Sequence, residues 1–301
     1  MSLYQLNLDQ AANLLKRGEV VAFPTETVYG LGARIFCVEA VQKIFHIKGR
    51  PSDNPLIAHI SHLDQVLLIA QHIPHLFYYL ADYFFPGPLT ILLPKNNRVP
   101  SCVTANLPLI GVRMPAHPLA QQLIEAVGEP LVAPSANISG KPSSTTAHHV
   151  SNDFGDKISG ILDGGACDIG IESTVITLTP KPIILRPGAV TKEELESVLK
   201  IPVQQAQAHA ERPLSPGMKY RHYAPKARII LTYNRSDYDS YLPQPHRRCL
   251  TSITAQNLYS QFRQADTDGI NEIIIFCSPE MQTNLALMNR LERASESSPS
   301  K

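Results

Sequence analysis

Tryptophan is absent from the 301 residues, and no apolar run approaches the roughly 18 residues that a membrane span needs. No C-x-x-C pair occurs. The five cysteines, Cys37, Cys102, Cys167, Cys249 and Cys277, are odd in number and scattered. That pattern argues against a redox pair or structural zinc and reads as reduced thiols of a cytoplasmic protein. The N-terminus has neither a basic nor an apolar leader region, so no signal peptide is expected. Charge of one sign is also missing: 27 Lys+Arg oppose 26 Asp+Glu, a formal net charge of +1. Phosphate or nucleic acid must therefore be held by a local cluster, because no global basic field exists. Several nucleotide and hydrolase motifs are absent. There is no G-x-x-x-x-G-K-[ST] and no H-E-x-x-H, and Gly30-Leu31-Gly32 lacks the third glycine of a dinucleotide fingerprint. Ser135 lacks nucleophile-elbow glycines. His59 and His62, on an expected strand edge, should diverge rather than share a metal, and no metal site is expected.

What is present is an ordinary globular composition, 44% apolar and 18% charged, which excludes collagen, coiled coil and wholesale disorder. Proline (25) outnumbers glycine (16), favouring short elements and loop-built sites. The length suggests two domains. Hydrophobic periodicity predicts an α/β protein. Helices are expected over 9–17, 38–48, 63–71, 75–85, 118–127 and 191–200. Strands are expected over 20–23, 56–60, 90–93, 109–113, 131–133, 158–162, 174–178 and 183–185. Asp9 reads as the first N-cap, and 25–32 as a Gly- and Thr-rich turn. Residues 202–225 have no periodicity and read as a linker or functional loop. Strand 227–233, helix 254–264, strand 272–276 and helix 281–294 then form a small α/β unit, and the last six residues should fray. The expected division is 1–201, 202–225 and 226–301.

Four polar segments punctuate the larger unit. Residues 24–33 place three hydroxyls (Thr25, Thr27 and Tyr29) and the Glu26 carboxylate after a buried strand, where α/β proteins hold ligands. Taken alone, an ordinary turn explains them as well. Around Gly49, Lys48 and Arg50 could converge on one anion, with Asn54 nearby. A solvated helix end explains the same residues equally. Arg113 ends a strand, and 133–143 places Ser135, Asn137 and Ser143 after another. Hydrogen bonding suits these groups better than nucleophilic attack. Finally, 172–175, Arg186 before Pro187-Gly188, and 215–226 with Lys219, Tyr220, Arg221, His222 and Tyr223 combine cations with aromatics. Each signal is weak, and their joint placement at strand ends raises them.

Pro24-Thr25-Glu26-Thr27-Val28-Tyr29-Gly30-Leu31-Gly32, Lys48-Gly49-Arg50, Pro134-Ser135-Ala136-Asn137, Glu172-Ser173-Thr174-Val175, Arg186-Pro187-Gly188 and the string over 215–225 resemble the YrdC-like threonylcarbamoyl-AMP synthases in their two-domain form. The match runs over 7–225 and continues more weakly through Met288-Asn289-Arg290-Leu291. The resemblance implies a twisted α/β sheet with an open, positively lined cavity and a small Rossmann-like C-terminal domain. It also implies condensation of L-threonine, bicarbonate and ATP to L-threonylcarbamoyl-AMP and pyrophosphate. A partner transferase would then modify tRNA. Thr27, His59, Arg113, Ala133 and Ser173 would form the threonine side, with Arg113 on the carboxylate. Arg50, Asn54, Ser135, Asn137, Ser143, Arg186 and Tyr223 would form the ATP side, Lys48 and Arg50 would serve the chemistry, and 202–225 would act as a lid. Mg²⁺ would ride on the phosphates with few protein ligands.

The sequence departs from the family pattern in places. Leu109 stands where a small or hydroxyl residue is expected, so any ATP contact there is through backbone. Gln282-Thr283-Asn284 replaces a Gly-rich turn, and 233–249 reads as too short and polar for a full helical crossover. Two other readings are an RNA-binding or ribosome-maturation protein contacting tRNA or double-stranded RNA, and a carbamoyl-adenylate enzyme with another acceptor. The near-neutral charge counts against the first.

Overall fold

The computed structural model describes residues 5–206 and 222–295. Among the described residues, eleven strands form a large mixed sheet. Their order across it is Gln5–Leu6, Ile161–Leu162, Val21–Phe23, Gly30–Arg34, Leu131–Val132, Ile57–His59, Leu109–Arg113, Leu89–Pro94, Thr174–Thr177, Ile183–Arg186 and Gln204–Gln205. Near the middle, Ile57–His59 runs parallel to Leu109–Arg113, with His59 opposite Arg113. The polar ends of two apolar strands therefore meet by register alone. A second sheet has Glu272–Phe276 at its centre, parallel to both Arg228–Thr232 and Arg247–Leu250.

Most expected elements occur, with instructive shifts. Helix Leu8–Lys16 is capped by Asn7 rather than Asp9. Asn7 Oδ1 accepts from the Gln10 amide at 2.9 Å, and Gln10 Oε1 accepts from the Asn7 amide at 3.0 Å. Asp9 instead lies in the first turn, where its charge complements the helix dipole. The expected turn over 25–32 becomes strand from Gly30 onward. Its glycines serve packing, since a Cβ on Gly32 would lie 2.7 Å from the Phe23 ring. Residues 63–68 form a 3₁₀-helix in place of the longer helix expected. Helix Ala147–Phe154 was not expected from its weak formers. Thr146 caps it, and burial of Val150 and Phe154 supplies the rest.

The small unit holds similar lessons. Within 233–249, read as too short for a crossover, lie a five-residue helix, Arg235–Asp239, and the start of strand Arg247–Leu250. The expected helix over 281–294 is two, Pro279–Thr283 and Leu285–Ser295. Between them Asn284 does the work of a glycine turn, its Oδ1 accepting from the Leu287 amide at 3.0 Å. Residues 207–221 and 296–301, which include most of the expected linker, Lys219, Tyr220, Arg221 and the fraying tail, lie outside the described residues. A large apolar cluster follows the big sheet. Another joins Val28, Ile171 and Tyr223 to Tyr259, Phe262 and Leu291, so the small unit packs directly on loops of the large one. Among the described residues, no helix is long and apolar enough to cross a membrane.

Candidate active site

The polar strand ends gather around one cavity of about 70 Å³. Its walls bring together Thr27, His59, Arg113, Ala133, Ser173, Arg50, Ser135, Arg186 and Tyr223, all singled out in the sequence. Thr25, His222 and Glu172 also line it.

At one end stands Arg113. Its Nη1 donates to Thr27 Oγ1 at 2.9 Å and its Nε to the Gly87 carbonyl at 3.2 Å. Behind it Glu26 Oε1 lies 2.7 Å from Nη2, with the two side chains only 9% and 5% exposed. The pair is close but poorly aligned, because neither Glu26 oxygen nor Arg113 Nη2 meets a hydrogen-bond partner in good geometry. The attraction is therefore coulombic. Thr25 makes the local turn expected of it. Its Oγ1 donates to the Val28 carbonyl at 2.6 Å and receives the Thr27 and Val28 amides at 3.2 Å. That turn aims Thr27 at Arg113. His59 Nδ1 lies 3.2 Å from the Ile57 carbonyl. A proton on Nδ1 satisfies that oxygen and leaves Nε2 as an acceptor. Burial, then the Arg113 charge, push the imidazole pKa down to about 3, so the ring is neutral.

At the other end, Arg50 follows the helix Val38–Lys48, which ends at Gly49 in the left-handed region (φ 59°). Its Nη2 donates to the Pro55 carbonyl at 3.0 Å and its Nε to the Asn54 carbonyl at 3.3 Å. Burial lowers its pKa to about 10, which leaves it charged at neutral pH. Arg186 is buried and donates through Nη2 to the Ser173 carbonyl at 3.0 Å and Ser173 Oγ at 3.2 Å. Ser173 Oγ in turn lies 2.8 Å from Thr90 Oγ1. Arg50, Arg113 and Arg186 make this wall positive although the chain as a whole is nearly neutral. Tyr223 closes one side, stacked on Tyr259 with ring centroids 5.8 Å apart. It adopts φ 67°, which an aromatic residue rarely does and which its packing must hold.

Four expected site residues stand outside the cavity lining. Lys48 is fully buried, and its Nζ donates to the Ser135 and Asn137 carbonyls at 2.5 Å. It braces the turn that carries Ser135 instead of facing the cavity. Asn137 Oδ1 accepts from Ser135 Oγ at 2.5 Å, and its Nδ2 donates to the Ile138 and Lys141 carbonyls. Ser143 Oγ donates to Glu172 Oε1 at 2.5 Å. Asn54 is buried, and its Nδ2 meets no partner among the described residues. His222, Thr25 and Glu172 join the lining without any site role that the sequence predicts. Nothing local marks Glu172, because its partners Tyr259 and Arg290 come from the far end of the chain.

Two family profiles match. One, described as "Telomere recombination", covers residues 13–188, and the other, "Threonylcarbamoyl-AMP synthase, C-terminal domain", covers 190–296. A "Threonylcarbamoyl-AMP synthase" from Pyrococcus abyssi is 43% identical over 320 residues, covering 95% of this chain and 93% of that protein. One from Bacillus subtilis is 42% identical over 317 residues, covering 95% and 92%. The crystal structure of P. abyssi Sua5 complexed with L-threonine superposes with a TM-score of 0.89 at 41% identity, covering 96% of this chain and 94% of that one.

Proposed function

The chain belongs to the two-domain threonylcarbamoyl-AMP synthases, and on that footing we propose that it condenses L-threonine, bicarbonate and ATP to L-threonylcarbamoyl-AMP and pyrophosphate. The observation that carries this reading is the adjacency, in one cavity, of the Thr27–His59–Arg113 end and the Arg50–Ser135–Arg186–Tyr223 end. Arg113 is a planar donor at a buried strand end and suits the amino-acid carboxylate. Neutral His59, with Nε2 as acceptor, suits the threonine hydroxyl or amine and brings no second positive charge beside Arg113. Arg50 and Arg186 suit the phosphates.

The bonds balance simply. The threonine amine attacks CO₂ derived from bicarbonate and loses a proton. The carbamate oxygen then attacks the α-phosphorus, and the bond to pyrophosphate breaks. Little covalent work falls to the protein, so positioning and charge neutralisation carry the catalysis. Mg²⁺ bound to the phosphates would supply further neutralisation. The donor set fits an ion that arrives on ATP, because the lining carboxylate, Glu172, is already engaged by Arg290, Tyr259 and Ser143. We also propose that Lys48 and Asn137 support this chemistry by fixing the Ser135 turn. Ser143 and Asn54 would lie just behind the nucleotide, and 202–225 would act as a lid over the cavity. The product would pass to a transferase acting on tRNA. The direct test is pyrophosphate release from Mg·ATP that requires threonine and bicarbonate together. Release that is indifferent to either co-substrate rejects the reading.

A further inference from the structure

Arg290 lies on helix Leu285–Ser295 of the small unit, and its side chain is completely buried. Its Nε donates to Glu172 Oε2 at 2.9 Å and its Nη1 to the Pro187 carbonyl at 2.6 Å. Its guanidinium lies 5.4 Å from the centroid of the Tyr223 ring. Tyr259, on helix Leu258–Thr267, donates to the same Glu172 carboxylate at 2.9 Å. Ser143 donates to its other oxygen at 2.5 Å. Glu172 lines the cavity within reach of the Arg186 charge, whereas Arg290 and Tyr259 are not among the lining residues. A carboxylate facing a site for a polyphosphate is an electrostatic liability unless its charge is cancelled from behind.

Resting on the synthase reading, we propose that Arg290 is a positioning residue. It holds and neutralises Glu172, so that the small unit completes the nucleotide end of a cavity otherwise built by the large sheet. Burial pushes the Glu172 carboxyl up, but the Arg290 and Arg186 charges and the bonds from Ser143 and Arg290 outweigh it, and the group stays ionised. Removing Arg290 therefore leaves a negative charge toward the phosphates and loosens Ser143 and Tyr223. Docking alone does not require this arrangement. The small unit has a second polar anchor in Arg263, which donates to the Pro142 carbonyl at 2.6 Å and Asp153 Oδ2 at 2.7 Å. An apolar seam joins the units as well.

The experiment is steady-state pyrophosphate release by the full chain, with ATP and threonine varied separately, in wild type, Arg290→Met, Glu172→Gln Arg290→Met and Arg263→Met. We expect Arg290→Met to raise KM for ATP about tenfold or more while KM for threonine changes less than about twofold. Removing the stranded charge in the double variant should recover most of that loss. Arg263→Met should lower thermal stability without an ATP-specific effect. The inference falls if Arg290→Met raises both KM values alike, if the double variant is no better, or if Arg263→Met reproduces the ATP effect. If Arg290→Met does not fold, Tyr259→Phe decides: a rise in KM for ATP of about threefold supports the inference, and an unchanged value overturns it. Wild-type protein that releases no pyrophosphate overturns the synthase reading itself, whereas active wild type with unaffected variants overturns only the role of Arg290.

Discussion

Gly188 offers the sharpest steric test of how the site is built. It follows Arg186-Pro187 and lies against the backbone of 172–174. A Cβ there would sit 2.2 Å from the Thr174 nitrogen, 2.4 Å from the Ser173 carbonyl carbon and 2.6 Å from the Glu172 oxygen. Comfortable contact needs roughly 3.5 Å, so in Gly188→Ala the two backbones must part by about 1 Å. Three buried bonds cross or brace this seam: Thr174 N to the Pro88 carbonyl at 2.9 Å, Thr174 Oγ1 to the Val190 carbonyl at 2.6 Å, and Arg186 Nη2 to the Ser173 carbonyl at 3.0 Å. Overpacking costs about 1–3 kcal/mol, and one weakened buried bond adds about 1–3 kcal/mol, for a total near 4 kcal/mol. Because stability is about 5–15 kcal/mol, urea unfolding should show a midpoint lower by about 1–2 M. Turnover should fall as well, since Ser173 and Arg186 ride on the displaced segments. A folded alanine variant with the wild-type midpoint and rate would refute the reasoning.

Other consequences can be read from single groups. Buried His59 and His222 have pKa values lowered to about 3 against an ordinary 6.5, so the unfolded chain binds more protons between those limits. The stability they represent is present above pH 6.5 and is lost as pH falls toward 3. His59→Gln should therefore flatten the unfolding free energy by about 1.4 kcal/mol per pH unit over that window; an unchanged slope in pH-dependent urea titrations contradicts a neutral buried His59. Arg113→Met strands Glu26 without its countercharge and should cost about 3–5 kcal/mol of stability, whereas Glu26→Gln Arg113→Met should recover most of it. Calorimetry that finds the two changes additive would deny the coupling. Arg50→Ala should cut turnover about 100-fold or more with circular dichroism unchanged, and an unchanged rate would remove Arg50 from the phosphate end. Lys48→Met should weaken ATP binding and also lower stability, because it frees the Ser135 and Asn137 carbonyls; equal melting temperatures would show that the turn does not depend on it.

The sequence reveals the strands that carry the cavity because each is a short apolar run closed by a polar group, as at Arg113 and Arg186. It was less informative where a residue serves two ends. Lys48 and Arg50 are two apart around a glycine and looked equivalent. The helix end sends one inward under Ser135 and the other to the cavity, because Lys48 is still helical and the left-handed Gly49 (φ 59°) redirects the chain before Arg50. Gly30 and Gly32 read as turn punctuation, yet they answer to the Phe23 ring across an antiparallel pair, a contact that local periodicity does not encode. Glu172 stayed silent for the strongest reason. Its meaning lies in Arg290, 118 residues away, and no spacing rule reaches that far.

That distance also explains why the two ends of the cavity differ in kind. The Arg113 end is set by sheet register, with His59 and Arg113 paired across neighbouring strands and Thr27 pinned by its own turn. Such groups stand in place before any ligand arrives. At the other end Arg186 also closes a strand, but Tyr223 is set by tertiary docking, seated on Tyr259 and beside Arg290. The His222–Tyr223 side is the one not fixed by strands, and its backbone departs from common geometry at Tyr223. On the synthase reading, the threonine side is built into the sheet, while the aromatic wall beside the nucleotide is held by the small unit.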